Sequence, residues 1–298
     1  MLYKEVGDLL NLKLAELFGK GKTVFSFEVF PPKRDVPIET IYETLDELQY
    51  LKPDFISVTY GASGSLADNS TCEIASAIKA DYGIESAAHL TCVNSTRHEI
   101  DVMLERLQDG GVENIMALRG DYVPGIEPKH DFEHASDLIT YIKSKHYDFG
   151  ISAACYPEGH PDSTDQVSDV LNLKKKVDAG AEHLVSQLFF DNQIIYDFVD
   201  KAKIAGINTP IEAGIMPVTN SKQIERMVSL CGASLPAKFT KMMQRYENKP
   251  EAMRDAGIAY ATNQIVDLLS HNVDGIHLYT MNNPYIAKRI SENVKSLL

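Results

Sequence analysis

Short apolar segments and amphipathic helical segments alternate along almost the whole chain, and this alternation restricts the fold more than any other feature. The first strand is predicted over Thr23–Val29 and its helix over Ile38–Leu51; the last pair is Gly275–Tyr279 and Tyr285–Leu297. About eight strand–helix units in a chain of this length are typical of a (β/α)₈ barrel. We therefore predict an α/β fold, a TIM barrel formed by a single domain over residues 1–298.

Two segments add to this repeat. An extra N-terminal helix is predicted within residues 1–19, and a helical insertion, Ala237–Leu269, precedes strand eight. The other predicted strands are Asp54–Tyr60, Glu85–Thr91, Ile115–Leu118, Gly150–Cys155, His183–Phe189 and Ile211–Gly214. The other predicted helices are Thr71–Asp81, Arg97–Leu107, Ala135–Lys145, Gln166–Ala179, Asn192–Ala205 and Ser221–Leu230. An open, doubly wound sheet shows the same alternation, but no G-x-G-x-x-G or P-loop pattern follows any strand.

Charge and cysteine usage narrow the class of protein. The net charge of −13 argues against nucleic acid or an anionic membrane as a partner. The four cysteines form no C-x-x-C pair, so we expect buried, reduced thiols. We find no signal peptide, no apolar run near the ~20 residues of a membrane span, and no metal-binding histidine pattern. These observations predict a cytoplasmic protein without a metal site.

Polar side chains recur where the predicted strands end, which is where barrel enzymes place their chemistry. Strand four runs into Arg119, Gly120 and Asp121, where the glycine allows a ligand to approach the main chain. A surface ion pair that merely caps the strand is the alternative, and such pairs contribute only ~0–1 kcal/mol. Polar groups at the other strand ends are Glu28, Thr59, Tyr60, His89, Thr91, Tyr156, His160, Gln187, Tyr279 and Thr280. Their recurrence predicts one shared polar cleft.

Glu28 is the most informative of these residues. Alternation places Ser26, Glu28 and Phe30 on the inward face of strand one, and we expect apolar surroundings there. Burial of a carboxyl group among apolar side chains raises its pKa, which suits a general acid near neutral pH. A structural pair with an inward Arg or Lys is the alternative. Asp121 is the only other inward carboxylate that we predict, and Arg119 beside it is expected to keep it ionised.

A set of motifs, in order along the chain, resembles the methylenetetrahydrofolate reductase family, and in particular its bacterial members that consist of the catalytic domain alone. The matching motifs are Phe27–Pro32, Val58–Ala62, Ala88–Thr91, Ala117–Asp121, Tyr156–Pro161 and Leu278–Asn282. The resemblance implies an FAD-binding (β/α)₈ barrel, in agreement with the strand count. It also implies a homo-oligomer, a role in one-carbon metabolism and methionine biosynthesis, and, without a long regulatory extension, no inhibition by S-adenosylmethionine.

The resemblance further implies a ping-pong reaction. NADH, or NADPH, reduces FAD and leaves; 5,10-methylenetetrahydrofolate then accepts the hydride and becomes 5-methyltetrahydrofolate. The resemblance makes Glu28 the general acid that protonates the departing ring nitrogen, and it makes Asp121 a pterin contact that favours the cationic iminium. The implied cofactor contacts are Thr59, Tyr60, Ala62, His89, Arg119, Gly120, Asp121, Ala135, Tyr156, His160, Asp169, Asn172, Lys175 and Lys176. The implied substrate contacts are Asp121, Gln187 and Gln223.

Two positions depart from the family pattern. Asn283 stands where some bacterial members have an arginine for the folate's benzoylglutamate end, a role that Lys288 or Arg289 could fill. Met227 stands where a known member has an aromatic side chain. These departures keep an alternative open, in which the barrel is an electron-transfer subunit that receives electrons from a partner flavoprotein. A colourless aldolase-type barrel would require a strand-end lysine, and we find none.

Overall fold

The computed structural model of the protein describes residues 12–33, 35–60, 70–122, 125, 127–220, 227–228 and 231–298. Within these residues, eight parallel strands close into a barrel in sequence order, with the last strand paired to the first. The strands are β1 (Val24–Val29), β2 (Phe55–Val58), β3 (Glu85–Thr91), β4 (Asn114–Leu118), β5 (Gly150–Cys155), β6 (His183–Ser186), β7 (Ile211–Ile215) and β8 (Gly275–Tyr279). The predicted fold class is confirmed.

Helices surround the barrel because each one buries an apolar face against it. For example, the first helix buries Ile41, Leu45 and Leu48. The third begins with a capping box, in which Thr96 and Glu99 each accept a hydrogen bond from the other's backbone N–H. The helices of the described residues are α1 (Glu39–Leu48), α2 (Ser70–Ala80), α3 (Arg97–Asp109), α4 (Ala135–Lys143), α5 (Gln166–Asp178), α6 (Asn192–Ile204), α7 (Ala237–Tyr246), α8 (Pro250–Ser270) and α9 (Pro284–Val294).

Three predicted helical segments either lie partly outside the described residues or divide in the structure. Residues 12–19 contain only a single 3-10 turn, Leu14–Leu17, and the rest of the predicted N-terminal helix lies outside the described residues. The predicted helical insertion is present and consists of two helices. The second of them begins at Pro250, which lacks the N–H that an uninterrupted helix would require there. Ser221–Leu230 falls almost entirely outside the described residues.

The amino end of the barrel is closed by the segment that precedes β1. Asn114, the first residue of β4, accepts a hydrogen bond from the Leu14 N–H and donates to the Leu12 carbonyl, both at 3.0 Å. The ring of Phe18 stacks on the buried imidazole of His183, with 4.8 Å between the ring centroids. Because this packing covers the amino end, the barrel is left open at the carboxyl ends of its strands.

The alternation predicted for β1 agrees with the structure. Phe25, Phe27 and Val29 pack in the main core between the barrel and its helices. The Ser26 hydroxyl points into the barrel, where it contacts side chains from β7 and β8. No helix of the described residues has both the length and the apolar character that crossing a lipid bilayer requires.

Candidate active site

A cleft of about 660 Å³ opens at the carboxyl ends of the strands. Its walls come from the ends of β2 to β6, the loops that follow them, the first turn of α4, and one face of α5. The cleft lies within the size range of cofactor sites, roughly 300–1,000 Å³. It is the place where a barrel is expected to bind its ligand.

The structure brings the sequence-predicted cofactor contacts together in this cleft. Two predicted residues, Ala62 and Gln223, lie outside the described residues. The predicted cofactor contacts that line the cleft are Thr59, Tyr60, His89, Arg119, Gly120, Asp121, Ala135, Tyr156, His160, Asp169, Asn172, Lys175 and Lys176. The predicted substrate contact Gln187 also lies on its wall.

The positive charge of the cleft is arranged differently from the prediction. The Arg119 guanidinium pairs with Asp162 at 2.9 Å instead of with its sequence neighbour Asp121. Arg119 therefore does not hold Asp121 by the predicted ion pair, because the loop after β5 supplies a better-placed carboxylate. Asp121 itself is exposed at the cleft mouth, where its backbone carbonyl accepts a hydrogen bond from Asn94 Nδ2.

Two lysines of α5 contact neutral oxygen atoms. Lys176 Nζ donates to the Ala154 carbonyl at 2.8 Å, and Lys175 Nζ donates to Asn172 Oδ1 at 3.0 Å. Burial lowers the pKa of Lys176; Cys155 and the Asp169 carboxylate oppose this effect, and the positive charge of Arg119 adds to it. Within the described part of the chain, neither ammonium group lies within salt-bridge distance of a carboxylate. A buried cation without a counter-ion is suited to an anionic ligand.

Gly120 lets the chain turn close to the cleft floor. Its φ of +82° lies in the left-handed region, and a Cβ at this position would lie 2.9 Å from Thr91 Cβ. The carbonyl of Arg119, just before it, accepts hydrogen bonds from the N–H groups of Cys92 and Val93. The sequence therefore needs glycine here for both backbone conformation and space.

A second chamber of about 290 Å³ continues from the cleft into the barrel mouth. Thr59, His89, Tyr156 and Gln187 line both spaces, so the two are continuous. Apart from these, its wall is largely apolar, with Met116, Leu118, Val185, Leu188, Met216, Met227 and Met281. An elongated ligand could therefore extend from the charged cleft to a mostly apolar inner end.

Glu28 lies at the wall of this chamber, as predicted, but its surroundings differ from the prediction. Its Oε2 atom lies 3.5 Å from His89 Nε2 and 3.6 Å from His277 Nε2, and the side chain is 19% exposed. Two imidazoles thus stand where apolar side chains were expected. Burial lowers the pKa of His89, an effect that the nearby Glu28 carboxylate opposes, so the neutral imidazole is favoured.

The expectation that Asp121 is the only second inward carboxylate is wrong. Glu212, the second residue of β7, is completely buried inside the barrel and accepts a hydrogen bond from the Ser26 hydroxyl at 2.8 Å. Sequence reasoning missed it because β7 reads as an apolar strand with a single interruption. Its alternation, with Glu212 and Gly214 on one face, was the available signal.

Two tyrosines that the sequence placed at strand ends, Tyr156 and Tyr279, line the chamber. Burial raises the pKa of Tyr279 well above its ordinary value, and the Tyr279 hydroxyl donates to the Ser186 carbonyl at 2.7 Å. Tyr156, between the cleft and the chamber, has its pKa raised to about 12 by burial and by Asp121. Both phenols stay protonated near neutral pH, so the Tyr156 hydroxyl, like that of Tyr279, has a proton to donate.

The two departures from the family pattern have different structural settings. Asn283 caps α9, because its side chain accepts a hydrogen bond from the Ile286 N–H at 3.3 Å. Met227 lines the inner chamber. Lys288 faces a groove at the amino end of the barrel together with Lys22 and Asp54, so it cannot replace an arginine at the cleft. Arg289 Nη1 instead donates to the Tyr285 hydroxyl.

The residues present fit a flavin dinucleotide. A diphosphate requires cations and close main-chain approach, which Arg119, Lys175, Lys176 and Gly120 offer in one cleft. A flat, largely apolar ring system requires the adjoining chamber. The buried His89 Nε2 has no well-formed hydrogen bond among the described residues, so a donor or acceptor remains for a ligand.

Comparison with known proteins identifies the family. The family model described as methylenetetrahydrofolate reductase matches residues 13–295. The chain belongs to the methylenetetrahydrofolate reductase family. This confirms the resemblance to the family, whose curated relatives are named as methylenetetrahydrofolate reductases.

Relatives occur in plants and bacteria. Methylenetetrahydrofolate reductase (NADH) 1 of Arabidopsis thaliana is 40% identical over 284 residues, which are 91% of this chain and 48% of that protein. The 5,10-methylenetetrahydrofolate reductase of Escherichia coli (strain K12) is 38% identical over 275 residues, which are 92% of this chain and 91% of that protein. The chain therefore spans about half the length of the plant reductases that it matches and most of the length of the bacterial one.

Solved structures share the fold at low sequence identity. A protein from Clostridium thermocellum that binds two copies of 5-methyl-5,6,7,8-tetrahydrofolic acid has a TM-score of 0.64 and 14% identity; the match covers 100% of this chain and 99% of that one. The phosphoenolpyruvate phosphomutase of Streptomyces platensis subsp. rosaceus has a TM-score of 0.52 and 12% identity, with coverages of 95% and 85%. Their shared feature is the barrel.

Proposed function

We propose that this member of the family reduces 5,10-methylenetetrahydrofolate to 5-methyltetrahydrofolate with NADH, by ping-pong hydride transfer through bound FAD. One observation carries the proposal: a cation-rich cleft and a mostly apolar chamber with an acid at its wall are continuous at the catalytic end of the barrel. The matched plant relatives are named for NADH, which supports NADH over NADPH as reductant. The homo-oligomer and the cytoplasmic location stay predictions.

The charged cleft is assigned to the cofactor's diphosphate. Arg119 and Lys176 offset its negative charge, and the Gly120 turn allows close main-chain approach. Binding an anion costs Lys176 little further desolvation free energy, because burial has already removed water from its ammonium group. Bound FAD would supply the hydride-transfer chemistry between the nicotinamide and the bridging carbon of the folate.

Glu28 is assigned the proton transfer. The five-membered ring of the folate must open before the bridging carbon can accept a hydride, and the departing nitrogen needs a proton. Glu28 is the carboxyl group at the chamber wall and reaches a bound ligand through its exposed portion. Asp121, at the mouth, supplies a fixed anion that favours the cationic iminium, and Gln187 on the shared wall is assigned to the pterin.

A barrel that takes electrons from a partner flavoprotein is the second candidate. Met227 on the chamber wall favours it, since an apolar thioether offers less than an aromatic ring to a stacked nicotinamide. Asn283 no longer supports it, because this residue has a structural role as a helix cap.

The decisive experiment measures product formation by the purified protein alone. NADH and 5,10-methylenetetrahydrofolate are added without any other protein, and 5-methyltetrahydrofolate is quantified by chromatography. Formation of one product per NADH oxidised supports the reductase. Product that forms only after a reduced flavoprotein is added would favour the electron-transfer subunit, and no product under either condition would exclude both.

A further inference from the structure

A chain of buried polar side chains runs from Glu28 into the barrel interior. His277, on β8, lies between Glu28 and Ser26: its Nε2 is 3.6 Å from Glu28 Oε2 and its Nδ1 is 2.6 Å from Ser26 Oγ. Ser26 Oγ in turn lies 2.8 Å from Glu212 Oε1. Ser26, Glu212 and His277 are all completely buried. Four side chains thus connect the wall of the chamber to the centre of the barrel.

Counting donors fixes the tautomer of His277. A serine hydroxyl has one proton, and Ser26 donates it to Glu212. Ser26 can therefore only accept from His277, so Nδ1 of the imidazole carries the hydrogen. In the neutral ring, Nε2 then has a lone pair, and this atom faces Glu28 and, at 3.3 Å, the Ser57 hydroxyl. Glu212 thereby determines which ring nitrogen of His277 is unprotonated and can accept a proton.

The residues that surround Glu212 leave space for its carboxylate inside the barrel. Gly275, its partner in the β7–β8 register, leaves room for the carboxylate, because a Cβ there would lie 2.6 Å from Glu212 Cγ. His183 Nε2 lies 3.0 Å from Glu212 Oε2, although it is not aligned as a hydrogen bond, and His183 Nδ1 is 2.8 Å from Ser152 Oγ. The Glu212 side chain fits at this position only because residue 275 is a glycine. The sequence therefore makes room for a buried carboxylate here.

We propose that Glu212, acting through Ser26, is a positioning residue that keeps Nε2 of His277 unprotonated toward Glu28, so that these two groups share one proton. This role rests on the proposed function. In the reaction, the O–H bond of Glu28 breaks as an N–H bond forms on the departing folate nitrogen, which keeps the electron pair of the broken C–N bond. The pair is left one proton short, and water in the cleft restores it through the exposed part of Glu28.

The gap of 3.6 Å between Glu28 and His277 is longer than a hydrogen bond in the ligand-free structure. Catalytic contacts commonly shorten in the complex with substrate. The titratable groups that face the pair are His89 on β3, Glu212 on β7 and Tyr279 on β8, with His183 on β6 beyond Glu212. A pH profile of the pair therefore reports a coupled group and not one residue.

The test is the tautomer of His277, read from nitrogen chemical shifts of ¹⁵N-histidine-labelled holoenzyme without folate and assigned with His277→Asn. We expect the Nδ1–H form in the wild type and in Glu212→Gln, whose amide oxygen can still accept from Ser26. In Glu212→Leu, the released Ser26 hydroxyl donates to Nδ1, and we expect the Nε2–H form. An Nε2–H form in the wild type, or an unchanged tautomer in Glu212→Leu, would overturn the proposal.

The half-reactions provide the second readout. In Glu212→Leu and Ser26→Ala, flavin reduction by NADH should keep its rate. Reoxidation by methylenetetrahydrofolate should slow about tenfold or more, up to the roughly 10²–10⁴-fold that a general acid supplies. Because both changes break one chain, the double variant should be no slower than either single one. Equal slowing of both half-reactions, or additive losses, would contradict this role.

Glu85→Gln is the matched control, since it changes another buried carboxyl group at the amino end of the barrel, bonded to Lys79 and Asn114 rather than to the chain leading to Glu28. We expect both half-reactions of this variant to match the wild type; slowed folate reduction there would instead indicate general damage to the barrel. If the wild type itself fails to transfer hydride to the folate, the proposed function fails. The tautomer result still stands as a separate test of the Glu212 chain.

Discussion

The two ends of the barrel handle buried charge in opposite ways. At the amino end, Lys79 bridges Glu85, at 3.2 Å, and Glu113, and Asn114 adds a hydrogen bond to Glu85 at 3.2 Å. At the carboxyl end, the Lys176 ammonium donates to a backbone carbonyl and lies 5.9 Å from the centre of the Tyr156 ring, with no carboxylate within salt-bridge distance among the described residues. The first arrangement is satisfied within the protein, and the second leaves charge for a ligand.

This difference separates structural charge from functional charge better than burial alone. Both lysines lie at the periphery of the same barrel, and both are partly buried. A cation with two carboxylate partners has its desolvation offset, whereas one without a partner persists at a cost to folding unless something binds it. The same comparison separates Glu85 from Glu28, which lies beside two imidazoles at a cleft.

The largest effect should come from removing the acid at the open end. In Glu28→Gln, we expect hydride transfer to methylenetetrahydrofolate to fall by roughly 10²–10⁴-fold, because the amide cannot protonate the leaving nitrogen. Flavin reduction by NADH should remain close to the wild-type rate in stopped-flow absorbance. Equal loss of both half-reactions would remove Glu28 from the role of acid.

Replacing one lysine at each end tests the comparison directly. Lys79→Met leaves Glu85 without its cation, and we expect the free energy of unfolding to fall by about 3–5 kcal/mol in urea titrations, with flavin content unchanged. Lys176→Met removes a desolvated cation, so stability of the apoprotein should hold or rise while flavin affinity falls. If Lys176→Met destabilises the apoprotein as much as Lys79→Met, the distinction between the two ends is wrong.

A glycine at each end of the barrel allows the same comparison with a smaller expected effect. Gly120→Ala introduces left-handed strain of about 1–2 kcal/mol and a methyl group that meets Thr91 at 2.9 Å, so it should lower both stability and flavin affinity. Gly19→Ala, near the amino end, has a similar φ of +74° but no atom within 4 Å, so it should show the backbone strain alone. Equal effects on flavin binding would argue against close main-chain approach at Gly120.

The smallest effect concerns pH. Burial lowers the pKa of His89, so the unfolded chain binds this proton more readily than the folded one. The free energy of unfolding should therefore decline as pH falls from the unfolded value of about 6.5 through the folded value. His89→Asn should lose less stability than the wild type between about pH 7.5 and about pH 5, judged by urea midpoints. The exposed His98→Asn is the control and should follow the wild type.

Local patterns predicted the barrel and the cleft well, since each strand is a short apolar run ended by a polar or turn residue. The contacts between distant elements were not predictable in this way. Arg119 finds Asp162 in another loop, and Glu212 meets Ser26 across the barrel, pairings that depend on closure of the sheet. Pro250 marks the break between α7 and α8. The sequence prediction gave a single helical stretch without dividing it there, because the residues on both sides of Pro250 favour helix.

We propose that the open end of the barrel holds a flavin that NADH reduces and methylenetetrahydrofolate reoxidises. The visible absorbance of the purified protein, recorded under anaerobic conditions with NADH added first and methylenetetrahydrofolate second, tests this proposal. We expect a yellow protein that NADH bleaches and that the folate then returns to yellow. A colourless protein, or a flavin that NADH does not bleach, would contradict it.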